Sequence, residues 1–200
     1  PPHPTPPPPP HTNTDRNSSA ASDVYKRQHL LLCFTCACDR HDVGWLAAGL
    51  TVATQEQLRQ TVRALLDSQV QGVLATQHDR QPYTSLMAFA VTPDLRWIVI
   101  ATYRATQKHA NLLKNPRASL LIDNRTNKSA DYHSTVAISV QGMVSEVDLA
   151  RRDELLKLYL DKHPGLSNFV SATDCVLLTI EVESFYVVSE FQNVDVLKMF

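Results

Sequence analysis

The sequence predicts an α+β fold in which six or seven strands, mostly antiparallel, curl into a closed or partly closed barrel with three helices packed at its edges. Three observations predict it. Apolar residues recur at helical spacing only near 54–68, 106–114 and 148–161, so helices are short and few. Elsewhere the pattern alternates or runs continuously apolar for a strand's length. The strand-like stretches are joined by short turns marked by Asp, Asn and Pro, which favours hairpins over long crossovers. No internal repeat is present.

Thr54 can cap the first helix, with Gln57 completing a capping box, and Leu58, Val62, Leu65 and Leu66 form its apolar face through about Ser68. After Gly72 the short strand Val73–Thr76 leads through a polar turn at His78–Gln81 into a strand from Tyr83 to Val91. There Tyr83, Ser85, Met87, Phe89 and Val91 share one face. Pro93 ends that strand, and Trp97 to Thr102 forms the third member of a meander. A short helix over Thr106 to Lys114 is stopped by Asn115-Pro116, because proline pushes the residue before it out of the α region. Strands at Ala118–Asp123 and Thr135–Val147 follow, with the loop Asn124–His133 between them and Gly142 expected as a bulge or a close backbone approach. Asp148 caps a helix reaching Asp161 with Leu149, Leu156, Tyr159 and Leu160 inward. Two last strands, Cys175–Glu183 and Phe185–Phe191, are divided at Glu183-Ser184.

The first 51 residues read differently from the rest. Eight of the twelve prolines precede His11, and Pro1 to Gln28 is too poor in apolar residues to offset its ordering entropy. Such a leader can read as a polyproline ligand or stiff linker. The run Asp23-Val24-Tyr25-Lys26-Arg27-Gln28 instead looks like a translated sequencing-library adapter, so residues 1–51 are expected to be a disordered or artefactual leader and residues 52–200 the folded domain. No methionine precedes Met87, and Val52 would serve as a start if its codon were GTG. Cys33, Cys36 and Cys38 with His41 have the density of a zinc or iron–sulfur half-site, but no second Cys-x-x-Cys completes it, and no metal is expected. Cys175 reads as a small core residue.

Charge and composition exclude several functions. Nineteen basic and twenty acidic residues are spread along the chain, so no nucleic-acid partner is implied. The apolar runs are too short to span a bilayer, and a cytoplasmic protein with no membrane partner is expected. Five glycines do not make a Gly-rich phosphate loop or a dinucleotide fingerprint, and no Gly-x-Ser-x-Gly elbow or nucleophilic triad is present.

One stretch concentrates chemistry. Thr102, Thr106 and Lys108 bring a strand end, a hydroxyl, a cation and a helix start to one point. Free N–H groups and the positive end of a helix dipole suit a phosphate there, and Lys108 adds a full charge. A plain surface helix with a threonine cap would look the same.

The motifs Gln81-Pro82-Tyr83, Thr102-x-x-x-Thr106-x-Lys108, Asn115-Pro116-Arg117-Ala118-Ser119-Leu120-Leu121 and the strand with Gly142 resemble the pyridoxamine 5′-phosphate oxidase-like superfamily of FMN-binding split barrels, over nearly all of 72–191. The resemblance implies a split barrel and a homodimer with FMN at its interface. It implies that Thr106, Gln107 and Lys108 stand where the family binds phosphate, that Thr102 lies near the flavin, and that the backbone of Ser85, Leu86 and Met87 runs along the ring edge. The family's oxidases carry arginines where this chain has Ser85 and Gln107, with Arg104, Arg117 and Arg125 as nearby substitutes. They also have an Arg- and Trp-rich C-terminal segment, unlike Glu190 to Phe200, so true pyridoxamine phosphate oxidase activity is not expected. The helix form Lys108-His109-Ala110-Asn111-Leu112 is similar to a heme-utilisation-related branch, without that branch's separate C-terminal domain.

The expected function is FMN-dependent oxidoreduction of a small-molecule substrate, with catalytic residues unassigned and heme or a deazaflavin as alternative cofactors. Its rivals are a non-catalytic heme- or flavin-binding module and a dimeric scaffold whose site has decayed.

Overall fold

The computed structural model describes residues 46–190 and 193–200. The leader before residue 46, with Cys33, Cys36, Cys38 and His41, lies outside the described residues, as does Phe191. The elements in order are α1 (Leu46–Ser68), β1 (Gln71–His78), β2 (Gln81–Val91), β3 (Trp97–Tyr103), α2 (Gln107–Lys114), β4 (Arg117–Asp123), α3 (Asp131–Ser134), β5 (Ala137–Glu146), α4 (Leu149–Lys162), a 3-10 turn at Pro164–Leu166, α5 (Ser167–Val170), β6 (Cys175–Ser189) and β7 (Asn193–Lys198).

All strand pairings are antiparallel. The sheet runs β3-β2-β1-β4-β5-β6-β7, and β3 also pairs with β6, so six strands close a barrel and β7 adds a seventh beside it. The closure depends on β6 changing partners. Its first half, Cys175–Glu181, pairs with β3; its second half, Ser184–Ser189, pairs with β7. The expected break at Glu183-Ser184 is therefore a bulge in one continuous strand. Gln141 faces Ser184 and Gly142 faces Val182, leaving Glu183 as the extra residue that bends the chain between the two partners. Gly142 makes the approach possible, since a Cβ there would sit 2.1 Å from the Glu181 carbonyl oxygen.

Strand β7 was not expected. Asn193, Asp195 and Lys198 break its apolar pattern, and only Leu197 is fully buried, as suits the last strand of an edge. Helix α1 runs through Thr54 and Val52, because the Leu and Ala of Leu46–Val52 favour helix, so Thr54 is not its cap. The loop after β4 contains the one-turn helix α3, organised by Asp131, whose carboxylate accepts from Thr126 N–H, Thr126 Oγ1 and Lys128 N–H.

Two apolar cores result. The barrel interior holds Leu74, Met87, Phe89, Ile98, Ile100, Leu120 and their neighbours; α1 enters it through Val62, Leu65 and Leu66, and α2 through Leu112. The second core packs Leu155 and Tyr159 of α4 and Val170 of α5 against Ala90, Val99, Ala101 and Leu177 on the barrel's outer wall. The apolar face of α4 thus differs from the expected one. Leu149 is 89% exposed, whereas Leu155, six residues on and about 240° around the helix, is buried. Leu156 and Leu160 pack against the same core, as does half-buried Cys175, whose thiol burial pushes up in pKa.

Two local features give tests of the fold. The β1–β2 hairpin turns on Asp79 (φ 46°) and Arg80 (φ 69°), both left-handed, the geometry for which glycine is favoured at the second position. Arg80→Gly is expected to stabilise the protein by about 0.5–1 kcal/mol, measured by urea denaturation. Lys162 is held between helices, its ammonium donating to the Leu66 carbonyl at 2.7 Å and lying 4.1 Å from the Phe89 ring centroid. Burial lowers its pKa to about 8, with Asp67 opposing the shift. Between that value and the ordinary 10.5, the unfolded chain binds the proton more tightly, so stability rises with pH across this window. With solvent screening of a half-buried ammonium, the rise is of the order of 1 kcal/mol. Denaturation at the two ends of the window measures it, and Lys162→Met should abolish it.

Candidate functional site

The barrel wall opens where β2 leaves β3. Their pairing covers only Phe89–Val91 against Ile98–Ile100, while the other edge of β3 pairs with β6 along its whole length, Trp97–Tyr103. From Gln81 to Ala88, β2 is paired on its β1 side alone, and its other edge presents backbone groups with no strand partner among the described residues. A cleft of about 280 Å³ lies there, lined by Gln71, Leu86, Met87, Ala88, Ala101, Thr102, Tyr103, Thr106, Lys108, Tyr159, Leu166 and Phe169.

Helix α2 starts at this cleft. Thr106 is extended at the N-cap (φ −113°, ψ 150°), as its sequence position predicts, and its hydroxyl accepts from His109 N–H. The same hydroxyl donates to the Tyr103 carbonyl at 2.8 Å, which leaves it as acceptor in the 3.1 Å contact with the Thr102 hydroxyl. Thr106 therefore builds the corner and has no proton left for a ligand. The N–H groups of Gln107 and Lys108 have no acceptor within the helix and remain the local backbone donors. His109, buried at 5% exposure, fixes the corner from behind through its Nδ1, 3.1 Å from the Arg104 carbonyl.

Five of the seven residues singled out in the sequence, Leu86, Met87, Thr102, Thr106 and Lys108, meet around this one cleft. Lys108 is half-buried and is the only charged residue of the lining among the described residues. Ser85 and Gln107 do not line it. Ser85 lies opposite Leu74, and its hydroxyl is buried without a hydrogen-bond partner among the described residues. Gln107 donates to Asn111 Oδ1 at 2.7 Å, and fully buried Asn111 donates to Thr76 Oγ1 at 3.0 Å, a chain that fastens α2 to β1.

A family model described as pyridoxamine 5′-phosphate oxidase matches residues 58–189. The chain belongs to that family. No curated protein matches it. Among solved structures it is similar to a heme binding protein from Mycobacterium smegmatis (18% identity, TM-score 0.62), covering 68% of this chain and 55% of that one. The chain thus spans little more than half of that protein's length. It is also similar to General Stress Protein 26 from Bacillus anthracis (19% identity, TM-score 0.53, 72% of this chain and 99% of that one). A third likeness is to an FAD-binding protein from Mesorhizobium loti (18% identity, TM-score 0.51, 64% and 89%). At these identities the likenesses establish the fold, a split barrel, and nothing finer.

Within this family member, the three arginines considered as replacement phosphate contacts are engaged elsewhere. Arg104 forms a two-point ion pair with Glu146, Arg117 pairs with Glu183 at 3.3 Å, and Arg125 pairs with Asp123 at 3.2 Å; none lines the cleft. Sequence reading missed Tyr159, Leu166 and Phe169, which arrive at the cleft from α4, the 3-10 turn and α5, more than fifty residues beyond Lys108. The only advance signal was the Tyr159 position on the apolar face of α4. A larger cavity of about 610 Å³ lies between the β4–β5 loop and the outer sheet face, lined by Arg125, Lys128, Tyr132, Thr135, Ala137 and Val188 among others. It contains none of the seven residues. No group of three or more His, Cys, Asp or Glu suited to a metal occurs among the described residues, and no described helix is long and apolar enough to cross a membrane.

Proposed function

We propose that the protein is an FMN-binding flavoprotein and acts as an oxidoreductase on a small molecule. The observation that carries this reading is the convergence of Lys108, the free N–H groups at the start of α2, and the unpaired edge of β2 on one cleft. A flat flavin with a phosphate tail needs those three things: a cation and amides for the dianion, backbone groups for the ring edge, and an apolar wall. Leu86, Ala88 and Ala101 supply the wall. The cofactor, when bound, supplies hydride chemistry, while the chain binds and orients it. No histidine lines the cleft among the described residues, which favours flavin over heme.

The site is composite in this reading, and the partner is a second copy of the chain. Leu86, Val73, Leu121, Ser139, Tyr186 and Val196 are in register across β2, β1, β4, β5, β6 and β7, and none belongs to either core. Leu86, 62% exposed, belongs both to this row and to the cleft. A two-fold axis near Leu121 brings Leu86 of one copy toward Tyr186 and Val188 of the other, so the larger cavity beside Val188 closes over the cleft. Leu121→Glu places a charge at the centre of that contact and is expected to turn a dimer into a monomer by light scattering; a wild-type monomer at micromolar concentration removes this part of the reading.

The absorbance spectrum of the purified protein tests the flavin assignment. The expected result is a yellow protein with the two visible flavin bands, or one that acquires them on adding FMN. A colourless protein that leaves added FMN free rejects the reading, and a Soret band after adding hemin, without flavin uptake, favours the heme-binding alternative.

A further inference from the structure

Helix α2 spans the opening of the barrel. The β2–β3 pairing stops at Phe89 and Ile100, so among the described residues no ladder bonds fix the distance between the free edge of β2 and the end of β3. The helix start is tied to the β3 side, with the Thr106 hydroxyl on the Tyr103 carbonyl and His109 on the Arg104 carbonyl. A second tie crosses to β1 and β2. Gln107 Nε2 donates to Asn111 Oδ1 at 2.7 Å, Asn111 Nδ2 to Thr76 Oγ1 at 3.0 Å, and Thr76 Oγ1 to the Tyr83 carbonyl at 3.4 Å. The last acceptor sets the direction of the whole chain. A carbonyl can only accept, so the Thr76 proton goes to Tyr83 and the Thr76 oxygen accepts from Asn111.

Asn111 is 0% exposed and Thr76 is 4% exposed. Burying a primary amide is costly, and a leucine of similar size would avoid that cost. What the amide adds is direction. Leu112 joins α2 to the barrel interior by an apolar contact, which has no preferred orientation, whereas a hydrogen bond is lost within a few tenths of an ångström. The bond from Asn115 Nδ2 to Gln77 Oε1 also reaches β1, but it is exposed and water competes with it. With eight residues, α2 is too short to hold its place by helicity alone.

We propose that Asn111 is a positioning residue for the cofactor, setting through Thr76 the spacing between the N–H groups at the start of α2 and the free edge of β2. This rests on the reading of the cleft as an FMN site. FMN engages both sides of the opening, its phosphate at α2 and its ring along β2, so the second contact follows from the first only at the right spacing. Riboflavin has the ring alone and does not sense that spacing.

The test compares FMN and riboflavin affinities, by fluorescence quenching, in the full chain and in its Thr76→Val/Asn111→Leu variant. The double substitution replaces both partners of the buried bond with apolar groups of matching size. Exposed Gln107 then turns to water, so the variant is expected to fold with a melting temperature close to that of the wild type. FMN should bind roughly five- to tenfold more weakly, the equivalent of one hydrogen bond, with riboflavin unchanged within about twofold. Thr76→Ser, which keeps the hydroxyl, should retain the wild-type ratio. If the double variant does not fold, Thr76→Val alone, which keeps the volume, supplies the same comparison.

A ratio of FMN to riboflavin affinity that is unchanged without the buried bond, a fall shared equally by both compounds, or a ratio lost in Thr76→Ser as well, overturns the positioning role and leaves the flavin reading intact. A wild-type protein that takes up neither compound, or binds both equally, overturns the reading of the phosphate site together with it.

Discussion

Lys108→Ala is expected to weaken FMN binding by about 1–3 kcal/mol, roughly five- to 150-fold in Kd, without lowering the melting temperature of the ligand-free protein. Both halves of the result follow from where the lysine sits. Among the described residues of one chain it is the sole charged residue lining the cleft, and it makes no ion pair with a described residue, so the fold loses nothing by its removal. The phosphate loses a charge-assisted contact in a partly enclosed place, where such contacts are strongest. The N–H groups at the start of α2 remain, which is why binding is weakened and not abolished. Fluorescence quenching of FMN on titration measures the change, and Lys108→Arg, which keeps the charge, should recover much of it. A neutral result for Lys108→Ala would mean that the phosphate lies elsewhere.

Gly142→Ala is expected to have the largest effect on stability, a loss of about 3 kcal/mol or more, seen as poor solubility or a collapsed urea midpoint. The added Cβ would lie 2.1 Å from the Glu181 carbonyl oxygen and 2.9 Å from its carbonyl carbon. Both obstacles are backbone, so no side chain can turn aside, and β5 and β6 must separate at the point where β6 bulges to change partners. That bulge lets one strand close the barrel with β3 and then carry β7. Gly165→Ala is the control: nothing lies within 4 Å of a Cβ there, so its effect should stay within about 0.5 kcal/mol.

The barrel was legible because its strands carry their own signal. Alternation in Tyr83–Val91 and the continuous apolar run near Ala118–Asp123 reflect which faces are buried, and the structure places strands β2 and β4 there. Gly142 was legible for a related reason, since a glycine within a strand marks backbone crowding. What failed depended on partners distant in sequence. Whether Glu183 ends a strand or bulges within it is decided by β3 and β7 lying on opposite sides of β6, and β7 itself has too little buried surface to leave a clear pattern. Leu149 and Leu155 are equally apolar, and only the outer wall of β2, β3 and β6 decides which of them α4 buries.

The candidate site divides along the same line. Thr102, Thr106 and Lys108 are local, within one strand end and the helix that follows, so family motif and capping chemistry single them out together, and the structure sets all three on one cleft. Tyr159, Leu166 and Phe169 reach the cleft only through the packing of α4 and α5 on the barrel, which no local pattern encodes. Gln107 shows the reverse case. Its position in the motif suggests a phosphate contact, while its amide is turned to Asn111 and through it to Thr76, holding the helix in place.

The central claim is that a phosphoryl group is anchored at the start of α2, and the ratio of FMN to riboflavin affinity tests it most directly, because riboflavin has the same ring without the phosphate. With the full chain titrated by each compound under identical salt, FMN is predicted to bind at least tenfold more tightly, with the advantage shrinking in Lys108→Ala. Equal affinity for the two, unchanged by that substitution, would contradict the claim.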